Sequence, residues 1–140
     1  MKPVYTALIV CLCILSLTRA DTYAGSAEAA AQKAAQQWLS LVDRGKYDQS
    51  WETTAALFKN AITKAQWHQT IKAVRPPLGQ LTSRHLTSST HTTSLPGAPD
   101  GEYVVIQFQS SFSHKKSAVE TITPMKDPDG IWRVSGYYIK

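Results

Sequence analysis

The apolar residues of this chain change their spacing once, at Pro76-Pro77 and Gly79. Before that point they recur every three or four positions, which is the spacing of a buried helix face. From Gln80 onward the period falls to two, and Thr, Val, Ile and Tyr predominate, as they do in β-strands. Since the helical patterns all precede the strand patterns, we predict an α+β domain in which helices cover one face of a sheet.

The helical half begins with the patterns of two helices. The first starts at Ser26, a good N-cap, and ends after Arg44, because Gly45 can adopt the left-handed conformation that follows a helix. Its apolar stripe consists of Ala31, Ala34, Ala35, Trp38, Leu39 and Val42. The second helix starts near Tyr47, and the residues that it buries are Trp51, Ala55 and Phe58. The short interval around Gly45 predicts a tight helical hairpin.

A third helix is marked at both of its ends. Thr63 and Gln66 form a Thr-x-x-Gln capping box, in which each side chain accepts a hydrogen bond from the other residue's backbone N–H. Pro76-Pro77 should end the helix, because proline has no N–H and disfavours a helical residue before it.

Four strands are predicted after the helices, at roughly residues 80–93, 102–112, 117–126 and 132–139. Turn-forming segments separate them, and the clearest is Asp127-Pro128-Asp129-Gly130. There proline fixes φ and glycine takes the left-handed position of the turn. Three consecutive hairpins of this kind predict an antiparallel meander.

The turns also predict the pairing register, and with it the two faces of the sheet. If the second hairpin closes at His114-Lys115 and the third at Pro128-Asp129, the face that packs against the helices contains Val104, Ile106, Phe108, Val119, Met125, Trp132, Val134 and Tyr138. The opposite face has an apolar centre with a polar surround, which is typical of an association surface. We predict that a homodimer or an envelope protein partner binds there, through Val105, Gln107, Gln109, Glu120, Ile122, Arg133 and Tyr137.

Residues 1–20 have the order of a secretory signal peptide. Lys2 precedes an apolar run at 7–17, and Thr18 and Ala20 place small side chains before a cut at Asp21. A membrane anchor is the alternative, but the run is shorter than the ~20 residues that span a bilayer. We therefore expect a periplasmic or extracellular protein without a membrane span after cleavage. A short flexible leader at 21–25 and one domain at 26–140 would then remain.

Composition excludes several classes of site from the mature chain. Both cysteines, Cys11 and Cys13, lie in the predicted signal peptide, which excludes disulfide frameworks, zinc–thiolate sites and cysteine nucleophiles. The formal net charge of +5 also falls when Lys2 and Arg19 are removed. The histidines lack the spacing of metal ligands, and the one adjacent basic pair lies at a predicted turn. We expect no cofactor, no metal and no nucleic-acid partner.

Seven short segments, spread over nearly the whole mature chain, carry a family resemblance. They are AQQWL (35–39), DRGKY (43–47), SW (50–51), RPPLG (75–79), SR (83–84), PDGEYVV (99–105) and DGIWRVSGYY (129–138). In these segments the chain resembles a bacterial family, domain of unknown function 4019, in the nuclear transport factor 2-like superfamily. The resemblance implies a cystatin-like roll, in which three helices pack on a bent four-strand antiparallel meander. It implies no activity, because the family has none assigned.

Enzymes of that superfamily usually hold an acid or base in the mouth of the roll, which gives one alternative for function. The pocket residues would then be Arg84, His85, Tyr47 and Trp51. Regular pairing turns either Arg84 or His85 inward, and an inward arginine can orient an anionic ligand. Otherwise Arg84 pairs structurally with Glu120 or with a helix carboxyl terminus. On the predicted register the inner face carries no carboxylate.

Taken together, these patterns favour an exported binding or interaction module of unknown ligand. An enzyme acting on a small molecule and a structural homodimer without a ligand are the alternatives, because fold alone does not establish function. No residue is predicted to be catalytic.

Overall fold

The computed structural model describes residues 17–140, with side chains from Thr22 onward. Four helices precede four strands: α1 (Leu17–Asp43), α2 (Tyr47–Glu52), α3 (Ala56–Ala61), α4 (Lys64–Leu78), β1 (Leu81–Thr92), β2 (Tyr103–Phe112), β3 (Lys115–Lys126) and β4 (Trp132–Ile139). The strands pair antiparallel in the order β1-β2-β3-β4. The predicted α+β class and four-strand meander are confirmed. Of the predicted signal peptide, residues 1–16 lie outside the described part of the chain.

Helix α1 begins earlier than predicted and ends at Asp43, one residue before the predicted end. Residues 21–25 are helical rather than a flexible leader, and the hydroxyl of Ser26 donates to the carbonyl of Tyr23 (2.8 Å) instead of capping the helix. The Tyr23 hydroxyl in turn donates to Glu102, the residue just before β2 (2.5 Å), which anchors this early part of α1. At the other end Gly45 has φ +70°, and the N–H groups of Gly45 and Lys46 donate back into the last turn, as in a Schellman motif.

The predicted second helix divides into α2 and α3. Thr53 and Thr54 donate their hydroxyls to carbonyls of the last turn of α2, which competes with continuation of the helix. Ala55 is extended, with φ −63° and ψ 157°, and its N–H donates to the carbonyl of Val134 (2.9 Å). The connection between α2 and α3 therefore forms a hydrogen bond with the edge strand β4.

Helix α4 begins as predicted and ends later than predicted. The capping box of Thr63 and Gln66 is present. Pro76 and Pro77 lie inside the helix, which continues to Leu78 and stops at Gly79, whose φ is +79°. Proline's fixed φ is compatible with a helix, and the two missing N–H groups remove intrahelical hydrogen bonds only in the final turn, just before the helix ends at Gly79.

The predicted register is wrong by one residue in β3, and this turns β3 over. Ile106 pairs with Ile122 instead of Thr123. The hairpin closes around Ser113-His114, which alone would move the pairing by two residues and keep the faces, and an irregularity between Ser110 and Phe112 moves it back by one. A one-residue shift exchanges the faces of a strand. Ile122 is therefore fully buried, and Val119 and Met125, predicted to face the helices, are only partly buried. A further irregularity in the pairing of β3 with β4, between Thr123 and Pro124, changes which side chains of β4 face the helices. It places Tyr137 against the core and leaves Tyr138 60% exposed.

The hydrophobic core lies between the helices and the inner face of the sheet. The predicted α1 stripe is confirmed for five of its members, while Ala34 is only partly buried. Inner-face positions predicted in β2 and β4 also belong to the core or pack against it: Val104, Ile106, Phe108, Trp132 and Val134. Burial of this apolar surface provides the main drive for folding.

Candidate functional site

An ionic cluster of Asp43, Arg75, Arg84 and Glu120 lies where the carboxyl ends of α1 and α4 meet the inner face of the sheet. Arg84 donates to Glu120 through Nε (2.7 Å) and Nη2 (3.2 Å). It also donates to Asp43 through Nη1 (2.7 Å) and Nη2 (3.0 Å). Arg75 donates through Nη2 to Asp43 (2.8 Å). With two arginines and two carboxylates, the cluster is balanced in charge.

Glu120 is the most enclosed member of the cluster, with a fully buried side chain. Besides Arg84, the hydroxyls of Ser110 and Tyr137 donate to it, each at 2.5 Å. Every neighbour donates, so both carboxylate oxygens of Glu120 serve as acceptors. A substrate cannot reach this group without opening the core.

Burial and charge act together on the ionisable partners of Glu120. Burial raises the pKa of the Tyr137 hydroxyl, and the adjacent charge of Glu120 raises it further. For Arg84, burial disfavours the charge, but hydrogen bonds and charge from Asp43 and Glu120 outweigh it, so its pKa is raised. Both groups therefore keep their protons in the folded protein.

Arg75 closes the cluster on the side of α4. Its side chain is only 4% exposed, and its guanidinium lies over the ring of Phe112 with 4.3 Å between the guanidinium carbon and the ring centroid. Nε and Nη1 of Arg75 have no hydrogen-bond partner among the described residues. The contact with the ring is a cation–π interaction, which partly compensates for this burial.

An open groove, the α1–β4 groove, lies along α1. Its volume is about 550 Å³, and it is lined by Ala34, Gln36, Gln37, Trp38, Ser40, Leu41, Arg44, Thr53, Trp132, Arg133 and Val134. The volume is in the range of small-molecule sites, which combine apolar walls with a few polar groups. The groove therefore has room for a small ligand.

The four predicted pocket residues do not come together, and none lines the groove. Arg84 faces inward and joins the ionic cluster, while the exposed His85 pairs with Gln109 of β2 and faces outward. Tyr47 lies against His68 with 5.9 Å between ring centroids, and the Trp51 indole donates to the carbonyl of Ile62 (2.8 Å). The structure thus assigns Arg84 the structural pairing with Glu120.

The predicted interaction face is wrong in three of its seven members. Glu120, Ile122 and Tyr137 face the helices, because β3 is turned over and β4 is irregular. Gln107 and Gln109 are exposed and Val105 is partly buried on the outer face, and Arg133 pairs with Asp127 and Asp129. Binding of a second copy or of an envelope protein through the remaining outer residues stays a prediction.

Sequence reasoning missed Asp43, Arg75 and the α1–β4 groove. Asp43 and Arg75 each lie near the end of a helix, close to the glycine or proline residues predicted to end it. Both also belong to segments that carry the family resemblance. An inward arginine at position 84 requires buried carboxylates, and this requirement was the available signal for Asp43. No comparable signal predicts the groove, because Thr53 and Trp132 approach α1 only through the tertiary fold.

Two classes of site have no support in the described residues. Within residues 17–140 no group of three or more histidine, aspartate or glutamate side chains is arranged to hold a metal ion. No helix of that part of the chain combines the length and apolar character needed to cross a membrane.

Comparison with known proteins identifies a family and no characterised relative. A family model described as protein of unknown function, DUF4019, matches residues 34–137, from the second half of α1 into β4. No curated protein matches the chain. The matched segment contains every residue of the ionic cluster and every residue that lines the α1–β4 groove.

Proposed function

The chain belongs to this family of proteins of unknown function, and we propose that it is an exported module that binds a small molecule in the α1–β4 groove. The observation that carries the proposal is a contrast between two regions. The groove is open and has a volume of about 550 Å³, whereas the ionisable groups of the ionic cluster are paired with one another and largely enclosed. Binding needs only an accessible concave surface with apolar walls. Catalysis by acid and base needs an accessible ionisable group as well.

The enzymatic alternative would place the chemistry at Glu120, the carboxylate on the inner face of the sheet. Its side chain is fully buried, and its two oxygens already accept from Arg84, Ser110 and Tyr137. A general base must reach the proton that it removes, within about 3 Å or through one water. The ionic cluster therefore supports a structural role, and the groove is the better site for a ligand.

Export and superfamily membership are part of the same proposal. The charged start, short apolar run and small residues before Asp21 support export. Helices followed by a four-strand antiparallel meander support a place in the nuclear transport factor 2-like superfamily.

The first test fills the groove. Ala34 is partly buried and lines the groove, whereas Ala30 is exposed on the same helix and does not. We expect Ala34→Phe to weaken binding of the uncharged fluorescent probe phenylnaphthylamine at least tenfold, because the new ring occupies the space of the probe. Ala30→Phe should leave the titration unchanged. Equal binding by wild type and Ala34→Phe, with unchanged melting temperature, would contradict the proposal.

A further inference from the structure

We propose that the α1–β4 groove selects an anionic amphiphile, with its acidic group on Arg44 and its apolar body against Trp132 and Leu41. This inference rests on the proposed function and adds the chemical class of the ligand. It depends on three features of the groove: its charge, the unused hydrogen-bonding capacity of Arg44, and the free indole N–H of Trp132.

The charged side chains that line the groove are both positive. Its eleven lining residues include two arginines and no aspartate or glutamate. Arg133 is already paired, since Nη1 and Nη2 donate to Asp127 and Asp129 at 2.9 Å. The hydrogen bonds and charge of Asp129 accordingly raise the pKa of Arg133. Arg44 is the cation that remains for a ligand.

Arg44 has no carboxylate partner among the described residues. It is exposed, and its Nε donates to the carbonyl of Ser40 (3.0 Å), which fixes the base of the guanidinium and leaves both η-nitrogens to bind an anion. The carboxylate next to it in sequence, Asp43, is bound by Arg75 and Arg84. A guanidinium with two parallel donors is well suited to a carboxylate, sulfonate or phosphate.

The apolar wall adds a second donor. Three of the four indole N–H groups are bonded within the protein: Trp38 and Trp67 to Ser50, and Trp51 to Ile62. The indole N–H of Trp132 has no hydrogen-bond partner among the described residues, and Trp132 packs against the core while it lines the groove. An aromatic surface that also carries a free donor favours a ligand with an apolar body and acceptor oxygens.

The matched probes differ by one anionic group. Anilinonaphthalene sulfonate has the apolar body of phenylnaphthylamine with a sulfonate added, so the ratio of their dissociation constants isolates the contribution of the charge. We expect the wild type to bind the sulfonate about tenfold more tightly, as one charge-assisted hydrogen-bonded contact provides. Arg44→Gln should reduce this ratio to near one. Lys46→Gln, an exposed basic residue outside the groove, should leave it unchanged.

The outcomes separate this inference from the proposed function. If Ala34→Phe blocks phenylnaphthylamine but the sulfonate binds no better than phenylnaphthylamine, the groove is a site without anion selectivity and this inference is wrong. A preference that survives Arg44→Gln would also overturn it. If neither probe binds the wild type, both proposals fail. Arg44→Lys should recover part of the preference, because lysine restores the charge without the paired donors.

Discussion

The ionic cluster and the α1–β4 groove lie beside the same end of α1, yet they use their charges in opposite ways. Asp43 and Arg44 are consecutive residues: Asp43 is bound by two arginines, and Arg44 has no carboxylate partner in the described part of the chain. In the cluster all four carboxylate oxygens accept hydrogen bonds, which stabilises a closed arrangement. The comparison shows that paired and buried charges organise this fold, whereas an unpaired charge beside an open cavity is free for a ligand.

The largest expected effect is the loss of the central carboxylate. Glu120→Ala removes the acceptor of three donors and leaves the buried cluster with an uncompensated positive charge. Breaking a buried ion pair from one side typically costs about 3–5 kcal/mol. We expect the free energy of unfolding, measured by urea denaturation, to fall by that amount.

A double variant tests whether the charge imbalance is the cause. Arg84→Met with Glu120→Leu removes one charge of each sign and leaves the pair of Asp43 and Arg75. We expect it to be more stable than Glu120→Ala, because an ion pair replaced by apolar residues leaves no charge unpaired. If Glu120→Ala is within about 1 kcal/mol of wild type, the cluster does not stabilise the fold as described.

An intermediate effect is expected at Tyr137. Tyr137→Phe removes one hydrogen bond to a charged group, which is worth about 1.5–3 kcal/mol. Burial and Glu120 hold the pKa of the folded hydroxyl above the value of about 10 in an unfolded chain. Ionisation of this tyrosine therefore favours unfolding. The stabilisation that the protonated hydroxyl of Tyr137 gives the folded protein is complete below pH ~10 and is lost as the pH rises above that value.

The measurement is the free energy of unfolding as a function of pH. We expect the wild type to lose stability more steeply above pH ~10 than Tyr137→Phe does. Alkaline titration followed by absorbance should also detect, in the wild type, one tyrosine that ionises only when the protein unfolds. That tyrosine should be missing from the titration of Tyr137→Phe. Tyr138→Phe, at the exposed neighbouring position, is the matched control and should follow the wild type. Parallel curves for wild type and Tyr137→Phe would mean that Tyr137 is not held in its protonated form by the fold.

The smallest expected effect is on the groove side of the comparison. Arg44→Gln should change the free energy of unfolding by no more than about 0.5 kcal/mol, because Arg44 is exposed and forms no ion pair in the described structure. Arg84→Gln, which leaves the carboxylates of Asp43 and Glu120 with one arginine, should be far less stable. Equal destabilisation by the two changes in thermal unfolding would erase the distinction between the two regions.

The sequence predicts local features of this fold well because they depend on neighbouring residues. Gly45, the capping box of Thr63 and Gln66, and the turn at Asp127–Gly130 each act within a few positions. The faces of β3 depend instead on the residues that close a hairpin and on any irregularity in the pairing, and the irregularity between Ser110 and Phe112 moved Glu120 and Ile122 inward. The apolar pattern of β3 could not prevent this error, since Val119 and Ile122 are both apolar and lie on opposite faces.

The candidate site was less predictable than the fold for a related reason. The sequence limited the inward residue of β1 to Arg84 or His85 and named Glu120 as a structural partner of Arg84, and the structure shows that pairing. Asp43 and Arg75 reach the same cluster from α1 and α4, so only the packing of those helices on the sheet brings the four residues together. The groove likewise combines three separate parts of the chain.

The hydrogen bond from the N–H of Ala55 to the carbonyl of Val134 bears on how this protein avoids aggregation. An open strand at the border of a sheet is a template on which strands of other molecules can add, and proteins commonly obstruct such borders. Here a short extended link between two helices occupies that position on β4. Detachment of this link would uncover β4 for intermolecular pairing while the rest of the sheet stays folded, so conditions that loosen α2 and α3 should promote fibril growth before global unfolding.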